Sequence, residues 1–450
     1  MQDNSAASDG NVTGMTTTSR SRIFDDLAQL VSFDSVHTAP DAPRAADWVA
    51  QRLQDAGLQV EDHLTVDGSR TIIGRKPAVG EAPTVLLYCH HDVVPAGDRA
   101  EWLSDPFVLT ERDGRWYGRG AADCKGNVAM HLEVLRQLEA TGGVDAGLVV
   151  VVEGSEEQGG GGLDALVEQR PELFAADVIL IADSGNAAVG EPTLTTALRG
   201  GAQVDVTVRT LKTPVHSGIF GGAAPDAVAA LARIIDSLRD EAGRTVIDGV
   251  DCARSWEGAG YAPDAFRADA GILDGVEILG GDTPVADQVW ARPAVSITGF
   301  SSTPVDEAVN AVPAVAKARL QLRVPHPLDP QEVAEALAAH VNAHAPWGAQ
   351  VETTILDVNP TFATDSAKPA AQLFGRCLAE AYSADAVTEV GSGGSIPLTA
   401  LLQEKFPDAE IILFGVEEPL CGIHGPNESV DPTEIEAIAA AEVAFLRRLR

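Results

Sequence analysis

The chain has 450 residues, 45% of them hydrophobic and 5% aromatic, with a formal net charge of -34. That length exceeds one ordinary core and predicts two or three domains, while the charge argues against nucleic acid or an anionic membrane as partner. No run of eighteen apolar residues is present to span a bilayer, and the polar opening MQDNSAASDGNVTGMTTTSRSR lacks the apolar stretch of a signal peptide.

Residues 1–18 read as a disordered tail, with Met15 as an alternative start. Helical periodicity follows over Ile23–Phe33 and Ala42–Ala56, the latter closed by Gly57 as a C-terminal cap. Four short apolar runs come next along the chain: TVLLY (84–88), LVVVVE (148–153), VILIA (178–182) and IILFG (411–415). Helices are expected between or after them at Lys125–Ala140, Leu163–Glu168 and Thr433–Leu449. Continuous apolar strands alternating with helices indicate an α/β sheet buried on both faces. Between Leu198 and about Thr361 the texture changes. AQVDVTVRT (202–210) and AKARLQLRV (316–324) alternate like half-buried strands, accompanied by helices at Asp226–Arg239 and Gln331–His344. The layout expected is a mixed-sheet α/β domain over residues 19–197 and 361–450, interrupted by an α+β domain over 198–360. QGGGGL (158–163) and GSGGS (391–395) read as glycine-rich loops. The cysteines Cys89, Cys124, Cys252, Cys377 and Cys421 are odd in number and lack CxxC spacing, which predicts a reduced, cytoplasmic setting.

Polar residues fall at informative places. His90, His91 and Asp92 follow TVLLYC; Glu156 and Glu157 follow LVVVVEGS; Asp183 ends VILIA; His424 lies in the loop after IILFG. Four apolar strands thus deliver histidine or carboxylate groups just past their carboxyl ends, the edge where open α/β sheets bind ligands. Asp123 joins them in the turn GRGAADCKGN. Taken singly, such residues are usually caps or solvated loop groups, but caps have no reason to collect histidines and paired glutamates at one edge. Three ionised carboxylates there would be balanced by two divalent ions and a hydroxide. Oxygen and imidazole donors suit Zn²⁺, Mn²⁺ or Co²⁺.

The ordered blocks HHDVVPAGDRAEWLSDPFVLTERDGRWYGRGAADCKGN (90–127), EGSEEQGG (153–160), ALRGG (197–201), HSGIFGGAAPDA (216–227), GSGGSIPL (391–398) and HGPNE (424–428) resemble the co-catalytic di-metal peptidases. That family includes carnosinases, cytosolic non-specific dipeptidases, carboxypeptidase G, aminoacylases and succinyl-diaminopimelate desuccinylases, and the resemblance runs from about residue 20 to the C-terminus. It makes residues 19–197 and 361–450 the catalytic domain and 198–360 a lid and dimerisation domain. It implies two divalent metal ions per subunit, zinc first and manganese or cobalt as alternatives. His90 and Asp183 would bind one ion, Glu157 and His424 the other, and Asp123 would bridge them. Asp92 would orient His90, while His91 falls at a variable position and is expected to be structural. Glu156 would act as general base in attack by a metal-bridging hydroxide on a dipeptide's amide bond. A non-proline cis peptide is implied at Asp123–Cys124. The resemblance also implies a homodimer in which His216 serves the partner's site by stabilising the oxyanion, and it assigns Arg323 to the substrate carboxylate. Asn310, Gly394 and Ser395 are further substrate contacts it suggests. The long lid carrying HSGIFGG favours the dipeptidase branch. An N-acyl-amino-acid deacylase or carboxypeptidase shares every metal residue and stays open, as does a catalytically silent binding protein. Two departures bear on substrate choice: LKTPV rather than an acidic residue precedes HSG, and GSGGS lacks an arginine before GGS.

Overall fold

The computed structural model describes residues 17–450. The expected tail over 1–18 and the alternative start at Met15 therefore lie outside the described residues, except for the last two, which open a helix at Thr17–Val31.

A nine-stranded mixed sheet forms the centre. Its strands are β1 (Gln59–Leu64), β2 (Arg70–Lys76), β3 (Thr84–His90), β6 (Gly147–Glu153), β7 (Val178–Ala182), β8 (Thr193–Leu198), β15 (Phe362–Ala363), β16 (Thr388–Ser392) and β17 (Glu410–Phe414). They lie in the order β1-β2-β6-β3-β7-β17-β8-β15, with β16 also on β8. The middle four, β6, β3, β7 and β17, are mutually parallel, so their carboxyl ends share one edge. A small sheet of β4 (Thr110–Arg112), β5 (Arg115–Tyr117) and β18 (Ser429–Val430) lies apart from this path.

The period-two geometry of a strand explains the apolar runs. Val85, Leu87 and Cys89 of β3 enter one core with Leu148, Val150 and Val152 of β6, whereas Leu86 and Tyr88 enter the opposite core with Val149 and Val151. Helices Thr17–Val31, Ala42–Asp55, Lys125–Ala140, Pro369–Tyr382 and Pro432–Arg448 cover the first face; Gly161–Gln169 and Pro397–Lys405 cover the second. With both faces buried, polar residues have few places left except the strand ends.

A second, four-stranded antiparallel sheet has the order β11-β13-β9-β14. Its strands are β9 (Gly200–Arg209), β11 (Ala294–Ser301), β13 (Val315–Val324) and β14 (Gln350–Asn359). One face, with Val204, Val206, Leu320 and Leu322, packs on helices Ala227–Ser237 and Pro330–Ala343 around its own core. β10 (Val215–His216) and β12 (Ala311–Val312) form a separate two-stranded ribbon.

The first helix begins six residues before its expected start and Lys125–Ala140 keeps its expected bounds, while the other helix ends shift by no more than two residues, for local reasons. Asp226 accepts from the backbone N–H of Val228 and Ala229, and Asp329 accepts from Gln331 and Glu332, so both aspartates cap their helices from outside. Proline opens Pro330–Ala343 and Pro432–Arg448, where its missing N–H is not needed. Gly57 does adopt the left-handed conformation, at φ 79°. The glycine-rich stretches are less loop-like than expected: Gly161 begins the helix Gly161–Gln169, and Gly391 and Ser392 end β16.

Candidate active site

The four parallel strands place their polar followers together. His90 is the last residue of β3, and its Nε2 lies 3.0 Å from Asp123 Oδ1 and 3.2 Å from Asp183 Oδ1. Asp183 follows β7 directly, and Asp123 precedes the helix Lys125–Ala140. On the other side, His424 Nε2 lies 3.2 Å from Asp123 Oδ2 and 3.1 Å from Glu157 Oε2. Asp123 thus turns one oxygen to each histidine. The Asp123–Cys124 peptide is cis, as the resemblance implied. Glu156 pairs with neither histidine and stands beside the cluster, repelled by Asp183, Asp123 and Glu157.

Asp92 does more than the sequence suggested. Its Oδ1 lies 3.4 Å from His90 Nδ1. Its two oxygens also accept the backbone N–H groups of Glu156 at 3.2 Å and Glu157 at 3.1 Å. One buried aspartate therefore orients the imidazole of β3, with its backbone carbonyl 3.2 Å from Nδ1, and the turn after β6 through its carboxylate. His91 stays outside the cluster: it is buried, its Nε2 lies 3.3 Å from Arg70 O, and burial pushes its pKa down to about 4.

Sequence reasoning missed Glu428, the last residue of HGPNE. It is 1% exposed and accepts from Gly120 N, Ala122 N and Asp123 N at 3.0–3.1 Å and from Arg119 Nη1 at 2.6 Å. Those four donors fix the turn that presents Asp123. Asn427 ties the same loop down, accepting from Leu103 N at 2.8 Å and donating to Glu101 O at 2.9 Å. Glu417 was also missed. It is buried, takes a hydrogen bond from Asn127 Nδ2 at 2.8 Å, and shares a ligand-sized cluster with Asp123 and Asp183. The run VEEP after IILFG was the available signal, but in so acidic a chain it does not stand out.

The electrostatics say what this cluster requires. Burial pushes the carboxyls of Glu156, Glu157, Asp183 and Glu417 upward, and their mutual repulsion adds to it. For Asp123 burial acts the same way, but hydrogen bonds from His424 and His90 outweigh it and hold the group low. The carboxylates Asp123 and Glu157 in turn raise His424 to about 10. Five acids with two histidines are short of positive charge, and Glu157 Oε1 is buried without a hydrogen-bond partner. Ligand atoms about 2 Å from one ion at tetrahedral angles lie roughly 3.3 Å apart. The contacts of 3.0–3.2 Å around each histidine have that spacing, so the residues fit divalent metal ions.

A cavity of about 580 Å³ opens on Asp123 and Asp183 and is lined also by Gly394 and Ser395. The Ser395 hydroxyl is buried and unpartnered, and Gly394 N donates to Ser392 Oγ at 3.2 Å. Three other expected contacts lie elsewhere within the chain. His216 is exposed at the end of β10, its Nδ1 accepting from Gly218 N at 3.1 Å. Asn310 sits beside it, its carbonyl accepting from Ser217 N at 2.9 Å, and neither residue lines the cavity. Arg323 projects from β13, half-buried and close enough to Arg199 for mutual repulsion. Arg199, in the ALRGG block but given no role from sequence, has buried Nε and Nη1 atoms without partners. A Cβ on Gly393 would stand 2.7 Å from its Nη2, so that loop lies close against the guanidinium. Two adjacent cations without a shared carboxylate make an anion-binding position.

A parallel-strand edge holding two histidines and five acids, one of them an unpaired glutamate, beside a cavity defines a metal-dependent hydrolase. The chain matches peptidase family M20/M25/M40 over residues 86–448 and belongs to that family. It is 57% identical over 436 residues to a cysteinylglycine-S-conjugate dipeptidase of Corynebacterium striatum, covering 96% of each chain. It is 25% identical, over 90% of each chain, to a Cys-Gly metallodipeptidase of Schizosaccharomyces pombe. In fold it is similar to human carnosine dipeptidase 1, with a TM-score of 0.78 at 23% identity over 96% of each chain. No described helix is long and apolar enough to cross a membrane.

Proposed function

We propose that the chain is a metal-dependent dipeptidase acting on cysteinylglycine-type dipeptides. The observation that carries this is Asp123, which faces a histidine with each carboxylate oxygen while Glu156 stays free beside it. The M20 membership and the dipeptidase relatives support the same reading.

His90 and Asp183 would hold one divalent ion, His424 and Glu157 a second, and Asp123 both. Zinc suits these imidazole and carboxylate donors, with manganese and cobalt as the alternatives. Such ions would polarise the scissile carbonyl and acidify the attacking water. Glu156 takes the proton from that water and passes it to the leaving amine; its raised pKa lets it hold the proton in between. Asp92 positions both His90 and the Glu156–Glu157 turn. Arg199 and Arg323 receive the substrate's carboxylate, and Gly394 and Ser395 flank its path.

Residues 198–360 would form a lid and dimerisation domain on the catalytic domain of 19–197 and 361–450. A homodimer is part of this reading: His216 and Asn310 sit together and exposed, away from their own chain's cavity, where they could serve a partner's. A reducing cytoplasmic setting agrees with five free cysteines. Replacing Glu156 by Ala should lower turnover of cysteinylglycine by about 10²–10⁴-fold with metal content unchanged. Near-normal turnover in that variant would refute the mechanism.

A further inference from the structure

The layer beneath the second sheet carries a pair of histidines that the peptidase chemistry does not use. His340 and His344 stand four residues apart, the first on the helix Pro330–Ala343 and the second at its C-cap. That spacing puts two imidazoles on one helical face, as in helical zinc sites. Facing them is Asp248, from the loop after helix Ala227–Ser237. Its Oδ2 is 3.2 Å from His340 Nδ1 and 2.9 Å from His344 Nε2. Ligand atoms around one tetrahedral ion lie roughly 3.3 Å apart, and the two nitrogens here lie within 4.8 Å of each other.

The surrounding contacts prepare His340 as a ligand. It is 1% exposed. The Ser237 hydroxyl donates to Ile234 O at 2.7 Å, which leaves its oxygen to accept from His340 Nε2 at 3.1 Å. That bond keeps the proton on Nε2 and the lone pair on Nδ1, the way a supporting partner fixes the tautomer of a metal-binding histidine. The Nδ1 lone pair accepts the backbone N–H of Asp248 at 3.1 Å. An ion would displace this N–H, and water can take it up because Asp248 is exposed. The two rings stack with centroids 4.1 Å apart and planes at 20°, so their nitrogens converge on one point only when His344 turns. Its place at the helix end, with the side chain 40% exposed, leaves it free to do so. A cavity of about 470 Å³ lined by Arg233, Asp236, Ser237, His344 and Pro346 opens beside it and gives an ion a way in.

We propose that His340 Nδ1, His344 Nε2 and Asp248 Oδ2 bind a divalent ion of the zinc type, with water completing the set. Two imidazoles and one carboxylate suit such an ion, whereas calcium and magnesium take oxygen ligands. The ion joins Asp248 to positions 92 and 96 residues further along the chain, and so clips the loop to the helix beside the second core. None of these ligands belongs to the acidic cluster of the main sheet, so the site stands or falls apart from the dipeptidase reading.

The test counts zinc in the full-length protein. Wild type, His344→Ala and Asp248→Ala are dialysed against free zinc held at about 1 μM, and the bound metal is measured. Both side chains are at least 40% exposed, so neither substitution removes core packing, and near-ultraviolet circular dichroism checks the fold. The wild type should hold one zinc ion more per chain than either variant, with turnover of cysteinylglycine equal in all three. Ser237→Ala keeps every ligand but releases the tautomer, and should weaken binding of that extra ion by about 10–100-fold. Equal zinc content in the wild type and the two ligand variants would overturn the site. Unchanged affinity in Ser237→Ala would overturn the assignment of His340 Nδ1 as a ligand.

Discussion

The two sheets treat polar residues in opposite ways. In the central sheet β3, β6 and β7 are buried along their length, so the first histidines and carboxylates past their ends stand out as a group. In the second sheet one face is wet, and charged side chains are ordinary there. β13 carries Lys317, Arg319 and Arg323 at alternate positions on one face, and nothing in their spacing separates them. The family resemblance singles out Arg323, and in the fold the two arginines differ: Arg319 forms a two-pronged pair with Asp205 at 2.6 and 2.8 Å, while Arg323 stands half-buried near the unpaired Arg199. A desolvating environment makes a functional residue conspicuous, because a buried charge is costly unless something balances it.

If chemistry and folding are concentrated at the central edge, Glu428→Ala should give the largest combined effect. It leaves Arg119 buried without its partner, a loss of about 3–5 kcal/mol, and frees the turn that presents Asp123. Denaturant unfolding and metal titration should both move. A stable variant with unchanged metal affinity would break the link drawn here between Glu428 and the site.

The converse test lies in the second core. Leu320→Ala should cost about 2–5 kcal/mol through the cavity it leaves, since Leu320 is 1% exposed amid Val204 and Val206. Metal content and the proton chemistry of Glu156 should survive. A loss of bound metal at a temperature where the variant is still folded would show that the two regions are not separable.

The smallest effect concerns pH. His340 is buried beneath the second sheet between Ser237 and Asp248, with His344 stacked on it. Burial, helped by the charge of His344, lowers its pKa below 6.5 despite the nearby carboxylate of Asp248. As the pH falls, the unfolded chain takes up this proton first. The stability that neutral His340 contributes is thus present above its unfolded pKa and lost as pH drops through the folded one. Between about pH 7.5 and about pH 5.5, Tm should fall by about 1–2 °C less in His340→Gln than in the wild type. An identical fall would remove His340 from the account.

Much of the site was legible because hydrophobic periodicity and strand length are local properties. The runs at 84–88, 148–153, 178–182 and 411–415 located four strand ends, and His90, His91, Asp92, Glu156, Glu157, Asp183 and His424 followed from position alone, with His91 set aside only by the resemblance. Asp123 followed from its turn, and the family blocks added the bridging role assigned to it, the cis peptide and the split between ligand pairs. What stayed hidden depends on contacts between distant segments. Glu428 acts on a turn more than 300 residues earlier, Asp92 on the turn after β6, and Arg199 through a glycine in another strand's loop. The packing of Tyr261 and Trp256 on Trp290 is hidden for the same reason. Tyr261 and Trp290 lie in a stretch without strong periodicity and become a surface only where Gly391 lets the indole reach the sheet. Sequence alone therefore determined the four buried central strands and which groups stand at their ends, because burial along a strand is written in adjacent residues. Tertiary structure decided which groups share a partner and which face a cavity, because those are distances between segments that no local pattern encodes.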